Sequence, residues 1–405
     1  GLALLPESPP DAGRPSAILL SIHTNDETLA WADVLTSASR EAGWRLEPAV
    51  SRAPSDVHPL GRAARLADGL DRRPDFALLL DVCRAEVGDV LPPAVPALTW
   101  LSHQSHIDQT IAARLGPSDR VLATDSLVAD RLTQAGVGPD RIMVRPIPCL
   151  LGDDDPPPDW ADRPIDVAII ADLSPLDPAS YGLDLPTLAK VWQAAIDLIR
   201  RSIDRFTDAD VDAMVSQAES HVAMKIDSPE VRGEFVRTLA GPVAATLIWQ
   251  DLSQRLSGHE VKLTHRGMGW PADPGAAGLA GVPGLRQRDQ LYRLAKCVLF
   301  AHPRGVAPPD LLLAANAGAA VAWRAHPRDH QPGGAATLLE PGRESIVFSS
   351  HSSLPARLKR LLSSPETWRN QVHQAADRCR RDHSAAAALA AIQAVATSCA
   401  AARPS

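Results

Sequence analysis

Short apolar runs alternate with helical patterns along most of the chain, and this alternation limits the possible folds more than any other feature. In the first 150 residues, strands are predicted at 16–23, 44–50, 75–81, 95–101, 120–125 and 141–147. Helices are predicted between several of them, at 26–42, 62–70, 106–115 and 126–135. Near-continuous apolar strands that alternate with helices are typical of a parallel sheet covered on both faces. Ligands of such sheets bind beyond the carboxyl ends of the strands.

The segment 152–164, GDDDPPPDWADRP, interrupts this alternation. Three acids followed by three prolines cannot continue a helix or a central strand, so the segment is predicted to be a stiff linker. A second buried strand is predicted directly after it, at 165–172. Because 405 residues exceed one ordinary core, we expect an N-terminal domain at 1–151 and a C-terminal domain at 165–383.

Residues 185–256 differ from both halves, because their apolar residues recur at helical spacing with no strand between them. We interpret them as a helical insertion in the second domain. Strands are then predicted at 260–267, 297–303, 319–325 and 345–350, and helices at 288–295, 310–317, 354–362 and 365–402. The predicted fold class is α/β, with two Rossmann-like domains and a helical insertion in the second.

Composition and missing motifs exclude several classes of protein. A hydrophobic content of 45% with 22% charged residues is globular, and a net charge of −7 argues against a nucleic-acid partner. The sequence predicts no transmembrane segment and no signal peptide, although an upstream piece is expected because the initiator Met is missing. Five widely spaced cysteines favour buried thiols in a reducing cytoplasm over a disulfide framework or zinc cluster. No GxGxxG, GxxxxGK[ST], HExxH or GxSxG motif supports a dehydrogenase, P-loop, zinc-protease or hydrolase function.

The run HRGMGWP at 265–271 is the first candidate for a phosphate contact. It places Gly267 and Gly269 directly after a predicted strand, beside Arg266. Glycines let backbone N–H groups approach a phosphate, and an arginine can pair with its charge. A plain turn is the alternative interpretation.

The loop at 302–309 is the second candidate. It carries Arg304 and opens a helix that begins near Asp310 and ends at Gly318. Helix N-termini attract phosphate groups, so this loop predicts a site for a diphosphate. Arg324 and His326 follow the next strand and are predicted to contact a phosphate or sugar, with a solvated rim as the alternative.

This order of patterns resembles the GT-B glycosyltransferases, in particular the family-1/4-like bacterial group that includes spore-maturation-type proteins. The similarity rests on many weak patterns in the right order, among them PALTWLSHQ, IDVAIIAD, GMGW, LYRLAKCVLFAHP and LLEPGRESIVFSS. The resemblance implies two Rossmann-like domains facing across a cleft, the first for the acceptor and the second for the donor. It also implies a C-terminal helix, 384–405, that crosses back to the first domain. The implied reaction is metal-independent transfer from a nucleotide-diphosphate sugar to a hydroxyl of a glycan, protein or small molecule, with no cofactor.

Two positions depart from the family's donor pattern. Where the family usually carries the Glu that binds the donor ribose, this chain has Leu313, and the nearest acid, Asp310, lies about one helical turn earlier. The first strand of the donor domain ends in Ala171, Asp172 and Leu173, where the family usually has a glycine and a polar or basic pair. A weakened or inactive module that binds nucleotide, glycan or a protein partner is therefore the alternative. A nucleotide-sugar epimerase of the same fold is a third, weaker hypothesis.

Two histidines at strand ends in the first domain are the candidate catalytic residues. His23 ends the first predicted strand and His103 the fourth. A neutral histidine can act as general base on an acceptor hydroxyl, and a hydrogen-bonded loop histidine is the alternative.

Other strand-end residues have a structural interpretation that we prefer. Asp81 and Arg84 follow the third strand, and a structural ion pair is favoured over a sugar contact. Aromatic rings stack on sugars or bases, yet packing in the core or at the rim is the commoner role of tryptophan. This applies to Trp100, Trp270 and Trp323.

Overall fold

The computed structural model describes residues 15–21, 26–48, 74–87, 91–102, 107, 110–149, 157–183, 186–259, 261–270, 284–305 and 307–401. By its internal contacts the chain divides into two compact units. The first unit comprises Gly1–Gly152 together with Asp382–Ser405, and the second comprises Asp153–Arg381. Among the described helices, none combines the length and apolar character needed to cross a membrane.

The first unit contains a six-stranded parallel sheet in the order β2-β1-β3-β4-β5-β6. The strands are β1 Ser16–Leu20, β2 Arg45–Pro48, β3 Phe76–Leu80, β4 Ala97–Leu101, β5 Arg120–Ala123 and β6 Ile142–Val144. The helices are α1 Asp26–Glu41, α2 Arg84–Val87, α3 Ile111–Arg114 and α4 Ser126–Gln134. The central strands β3 and β4 are buried along their whole length, as their unbroken apolar sequences predict.

The second unit contains a five-stranded parallel sheet in the order β11-β10-β9-β7-β8. The strands are β7 Ile165–Ile170, β8 Leu263–Arg266, β9 Ala295–Phe300, β10 Ala320–Arg324 and β11 Ser345–Phe348. The helices are α5 Pro186–Arg201, α6 Val211–His221, α7 Pro229–Thr238, α8 Ala244–Ser257, α9 Leu285–Leu294, α10 Asp310–Asn316, α11 Ala335–Leu338, α12 Leu354–Leu362 and α13 Pro365–Asp382. The last helix, α14 Ala385–Ala401, lies in the first unit against α1.

The two sheets share one winding pattern. In each, the second strand pairs on one side of the first strand and the third strand pairs on the other side. The chain therefore changes its direction of winding beside β1 and again beside β7, and ligands of open parallel sheets bind at such points. The α/β fold class and the run of helices without strands between 186 and 257 are confirmed. The helix predicted at 62–70 lies outside the described residues.

A buried arginine closes the amino-terminal edge of the second sheet. Arg163 is 1% exposed, and its guanidinium donates to the carbonyl oxygens of Tyr292 (2.9 Å), Ala295 (2.7 Å) and Ala317 (3.0 Å). Ala295 begins β9, and Ala317 immediately precedes Gly318 and β10. The end of the linker is thereby attached to the sheet.

Gly318 lies at this same amino-terminal edge. It follows α10 with a φ of +74°, and an added Cβ would approach Arg163 Nη2 to 2.8 Å. Gly318 therefore acts as the left-handed residue that ends the helix. Ligands of open parallel sheets bind at the opposite, carboxyl edge, and the donor contact predicted for Gly318 stays a prediction.

Candidate functional site

The carboxyl edge of the second sheet brings together the strand-end residues that the sequence singles out. The turn at 267–270 follows β8, and the loop from 301 follows β9. Arg324 ends β10, with His326 two residues later. This edge includes the change of winding beside β7, so it is the candidate functional site.

The glycine turn after β8 packs against the end of β7. Gly267 and Gly269 have φ of +129° and +79°. A Cβ on Gly267 would lie 2.1 Å from the carbonyl oxygen of Ala171, and one on Gly269 would lie 2.5 Å from that of Leu173. Both glycines are therefore required by a close approach to protein backbone, which supports the plain-turn interpretation. A phosphate contact at the turn stays a prediction.

Asp172 takes part in the same packing. Its Oδ1 accepts from the backbone N–H of Met268 at 2.6 Å, and the indole N–H of Trp270 donates to the carbonyl oxygen of Ala171 at 2.6 Å. Ala171 and Asp172, where the sequence departs from the family's pattern, therefore hold the glycine turn against the end of β7. Arg266 is half-buried, and its Nη1 donates to the carbonyl oxygen of His265 at 3.0 Å.

A pocket of about 700 Å³ lies between helix α8 and the edge strand β8. The imidazole of His265 stacks on Trp270, with 4.1 Å between ring centroids, and this pair lines the pocket together with polar residues of α8. Ser253 Oγ is 2.9 Å from His265 Nε2 and fixes the imidazole from the helix side. Leu173 and Gly269 also line the pocket, so it opens beside the glycine turn.

Arg304, in the loop after β9, and Arg328, in the loop after β10, both act on the carboxylate of Asp208. We call these two arginines together with His302 the basic cluster. Arg304 is half-buried; its backbone N–H donates to His302 Nδ1 at 3.2 Å, and its Nη2 donates to the carbonyl oxygen of Arg237 at 3.4 Å. Desolvation of its imidazole, with the charge of Arg304, lowers the pKa of His302. His302 is therefore neutral at pH 7.

His326 is buried beside this cluster and interacts with the insertion. Its Nδ1 accepts the backbone N–H of Arg328 at 3.1 Å, so Nε2 carries the proton toward Asp208 Oδ1 at 3.4 Å. Burial disfavours the charged form of Asp208. Interactions with His326, Arg328 and Arg304 outweigh that effect, so the pKa of Asp208 is lowered. The rim interpretation of His326 is wrong because its side chain is 3% exposed.

Arg324 is buried as well, and this corrects its predicted exposure at a solvated rim. The residue is 5% exposed. Its Nη2 donates to the carbonyl oxygens of Phe206 (2.7 Å) and Ile203 (3.0 Å), and its Nε donates to His351 Nε2 (3.0 Å). Arg324 therefore connects the insertion to the sheet.

His351 has a defined tautomer. An arginine Nε can only donate, so His351 Nε2 is the acceptor and Nδ1 carries the proton. Nδ1 lies 2.6 Å from Asp251 Oδ2, and the backbone N–H of His351 donates to Asp204 Oδ1 at 3.0 Å. Candidate ligand atoms of Asp204, Asp251 and His351 lie within 4.8 Å of one another. A metal ion there would have to displace the Nδ1 proton, so hydrogen bonding accounts for this group and we propose no metal.

The stability of the protein should depend on His351 as the pH falls. Burial, with the charge of Arg324, lowers the pKa of His351 against the opposing effects of Asp251 and Asp204. Below a pH of about 6.5 the unfolded chain therefore binds a proton that the native protein does not bind. We expect the free energy of unfolding to decrease by up to about 1.4 kcal/mol per pH unit for this proton.

Urea unfolding at pH 7.0, 6.0 and 5.5 measures this effect, with His351→Gln as the comparison. The wild type should lose more stability over this interval than the variant, whatever their difference at pH 7. Parallel curves would show that His351 does not carry the dependence.

Helix α10 begins at Asp310, as the sequence predicts. It has seven residues, and its first residue, Asp310, pairs with Arg288 Nε at 3.2 Å. Leu313, at the family's ribose position, is 2% exposed and packs in the core. If Asp310 took the place of the family's glutamate and bound the donor ribose, that contact would compete with its ion pair to Arg288.

The candidate catalytic residues of the first unit, His23 and His103, lie outside the described residues. Asp81 accepts from the backbone N–H of Ser102 at 2.6 Å, and Arg84 makes a two-pronged ion pair with Asp119 at 2.8 Å. The structural interpretation of Arg84 is confirmed, although its partner is Asp119.

The three tryptophans singled out at strand ends have structural contacts. Trp100 is fully buried, and its indole N–H donates to the carbonyl oxygen of Arg145 at 3.0 Å. Trp323 is 3% exposed and donates to Asp329 at 3.3 Å. Core packing is therefore confirmed for both, while Trp270 lines the pocket.

Comparison with known protein families gave a match to part of the chain. Residues 246–394 match the model of a family described as glycosyl transferase-like. This match confirms the resemblance to glycosyltransferases found in the sequence. The matched segment contains β8 to β11, and with them the glycine turn and the basic cluster. A search of the curated proteins gave no match.

Solved structures are similar at low sequence identity. A glycosyltransferase from Rickettsia africae is 9% identical, with 96% of this chain and 100% of that chain covered and a TM-score of 0.48. Anabaena HepE, solved in complex with UDP and glucose, is 13% identical, with coverage of 95% and 100% and a TM-score of 0.45. Sucrose-phosphate synthase from Thermosynechococcus elongatus is 12% identical, with coverage of 96% and 100% and a TM-score of 0.44. At these scores the similarities assign no activity to this chain.

No sequence pattern singled out Arg163 or His351. Arg163 lies near the end of the proline-rich linker, and nothing nearby in the sequence indicates its carbonyl partners. The helical insertion was predicted, but not the contact that its residues Arg237 and Gly241 make with the Arg304 guanidinium. A signal was present in the insertion, because Gly241 and Pro242 interrupt an otherwise apolar helical pattern.

Proposed function

We propose that the protein is a glycosyltransferase that moves a sugar from a nucleotide-diphosphate sugar to a hydroxyl acceptor without a metal. The match of residues 246–394 to a glycosyl transferase-like family carries this proposal. The matched segment supplies four of the five strands of the second sheet, and open parallel sheets bind ligands at their carboxyl edge.

In this mechanism the second unit holds the leaving diphosphate. Arg304 and Arg328 lie at the ends of β9 and β10, and fixed positive charge there stabilises the diphosphate as its bond to the sugar breaks. Arg266 is a further candidate at the end of β8, and the neighbouring pocket between α8 and β8 is the proposed place for the rest of the nucleotide. We assign the acceptor proton to His103 or His23 of the first unit.

A module that binds a nucleotide or glycan without catalysis is the second candidate function. The close packing of Gly267 and Gly269 on the end of β7 favours it, because the approach that a phosphate would need is made by protein backbone. The burial of Leu313 favours it too, because no carboxylate replaces the family's ribose ligand at that position.

Thermal unfolding with UDP, GDP, ADP, CMP or dTDP tests the donor site. A ligand at 100 times its dissociation constant stabilises the native state by about 2.7 kcal/mol. For a domain of this size we expect the unfolding midpoint to rise by about 5–11 °C with one nucleotide. Arg304→Ala should reduce that shift, while Arg200→Ala, at an exposed position of α5, should preserve it.

Sugar transfer is then measured with the nucleotide sugar that corresponds to the nucleotide that binds. Turnover that His103→Ala abolishes while nucleotide binding persists supports the enzyme. Binding without turnover supports the non-catalytic module. A midpoint that none of the five nucleotides changes would contradict a nucleotide-donor site and would favour a non-catalytic module that binds a glycan.

A further inference from the structure

The guanidinium of Arg304 contacts an unusual stretch of the helical insertion. We call the surface that it contacts, formed by the backbone of Arg237 and Gly241, the seat of Arg304. Helices α7 and α8 are joined by Leu239–Val243, a π-helical segment that contains Pro242. Proline has no N–H, so residue 242 cannot donate to the carbonyl of Arg237, which lies five residues earlier as in π-helical pairing. That carbonyl oxygen accepts from Arg304 Nη2 at 3.4 Å.

Gly241 brings the same guanidinium close to the helix backbone. Gly241 is buried, and an added Cβ would lie 2.7 Å from Arg304 Nη2 and 3.3 Å from Cζ. Any side chain at 241 would therefore have to displace the guanidinium. Glycine at 241 and proline at 242 thus place an open backbone face beside a carbonyl to which residue 242 cannot donate.

We propose that Gly241 and Pro242 are positioning residues that hold the Arg304 guanidinium for the diphosphate of a nucleotide donor. This inference rests on the proposed function, because it gives Arg304 its ligand. Arginine is long and flexible, and ordering its side chain when a ligand binds has an entropic cost. A seat that orders the guanidinium beforehand removes part of that cost and so increases affinity.

Gly241→Ala tests the seat without disrupting the fold. The atoms that the new methyl group would meet belong to the far end of a flexible side chain, which can move away. Alanine also favours helix over glycine, so the unfolding midpoint should stay equal or rise. Affinity for the nucleoside diphosphate that binds the wild type, measured by calorimetry, should nevertheless fall by about tenfold, as for a displaced charge-assisted hydrogen bond.

Gly233→Ala is the matched control. Gly233 lies in α7 of the same helical run, is exposed, and has no atom within 4 Å of a built Cβ. This variant makes the same chemical change and gains the same helical preference without approaching Arg304. We expect its nucleotide affinity to equal that of the wild type.

A double-mutant cycle separates a positioning role from a general structural effect. If Gly241 acts through Arg304, Gly241→Ala should have no further effect on affinity in the Arg304→Ala background. Pro242→Ala restores an N–H that can pair with the carbonyl of Arg237, so we expect about a threefold loss that likewise disappears in that background.

The outcomes distinguish this inference from the proposed function. Failure of the wild type to bind UDP, GDP, ADP, CMP, dTDP or inorganic pyrophosphate would overturn both. If Arg304→Ala binds more weakly than the wild type, but Gly241→Ala binds as tightly as Gly233→Ala, the seat is overturned while the donor site stands. An equal loss from Gly241→Ala with and without Arg304 would also overturn the seat.

Discussion

Replacement of Arg163 by alanine should lower the free energy of unfolding of the second unit by about 3 kcal/mol or more. The guanidinium is buried and donates to four carbonyl oxygens, those of Pro158, Tyr292, Ala295 and Ala317. All four would lose this donor. The guanidinium also lies 5.2 Å from the ring centroid of Trp368, so the change removes a cation–π contact. We expect the unfolding midpoint to fall by about 6–12 °C.

Arg369→Ala is the control for this prediction. Arg369 forms a two-pronged ion pair with Asp159, also near the linker, but both side chains are about half exposed. Exposed pairs contribute little, so its midpoint should stay close to that of the wild type. Equal midpoints for Arg163→Ala and Arg369→Ala would show that the buried carbonyls find other donors.

Arg324→Ala should also destabilise the protein, by about 3 kcal/mol. The substitution deprives the carbonyl oxygens of Ile203 and Phe206, and His351 Nε2, of their buried donor. Arg324→Met should cost less than Arg324→Ala, because a methionine fills more of the space that the arginine side chain leaves. Denaturant unfolding of both variants measures the difference.

Two comparisons decide what Arg324 does. Arg205→Ala changes an exposed residue of the same loop that Arg324 holds and should have no effect on stability. The sequence predicts a ligand contact for Arg324, and that role would be supported by a variant that keeps its stability and loses nucleotide affinity. A loss of stability with unchanged affinity supports the interior role described above.

The elements of the fold were predictable from the sequence because local patterns determine them. Apolar runs such as 76–80 and 297–300 became buried parallel strands, and the helical spacing at 186–257 became helices. Gly318 also ends a helix as predicted. In a parallel sheet the helix after a strand returns to the amino-terminal edge, so this end of α10 lies away from the carboxyl edge, and a donor contact of Gly318 stays a prediction.

The environment of the candidate site depends on contacts between distant residues. Arg324 ends a strand, where exposure is expected, but loop residues more than 110 positions earlier cover it. Asp251 and His351 are 100 positions apart and have no shared motif. Arg304 was predicted from its place in a strand-end loop, while its seat at Gly241 depends on how the insertion packs on the sheet.

The placement of α14 has a consequence for the order in which the protein folds during synthesis. The second unit is one continuous stretch, Asp153–Arg381, and can complete its core once that stretch has left the ribosome. The first unit includes α14, whose Leu389 and Ile392 are buried, and this helix packs against α1. The half of the protein that is translated first is therefore the half that completes its folding last, and its apolar α1 surface stays uncovered until residue 401 has been made.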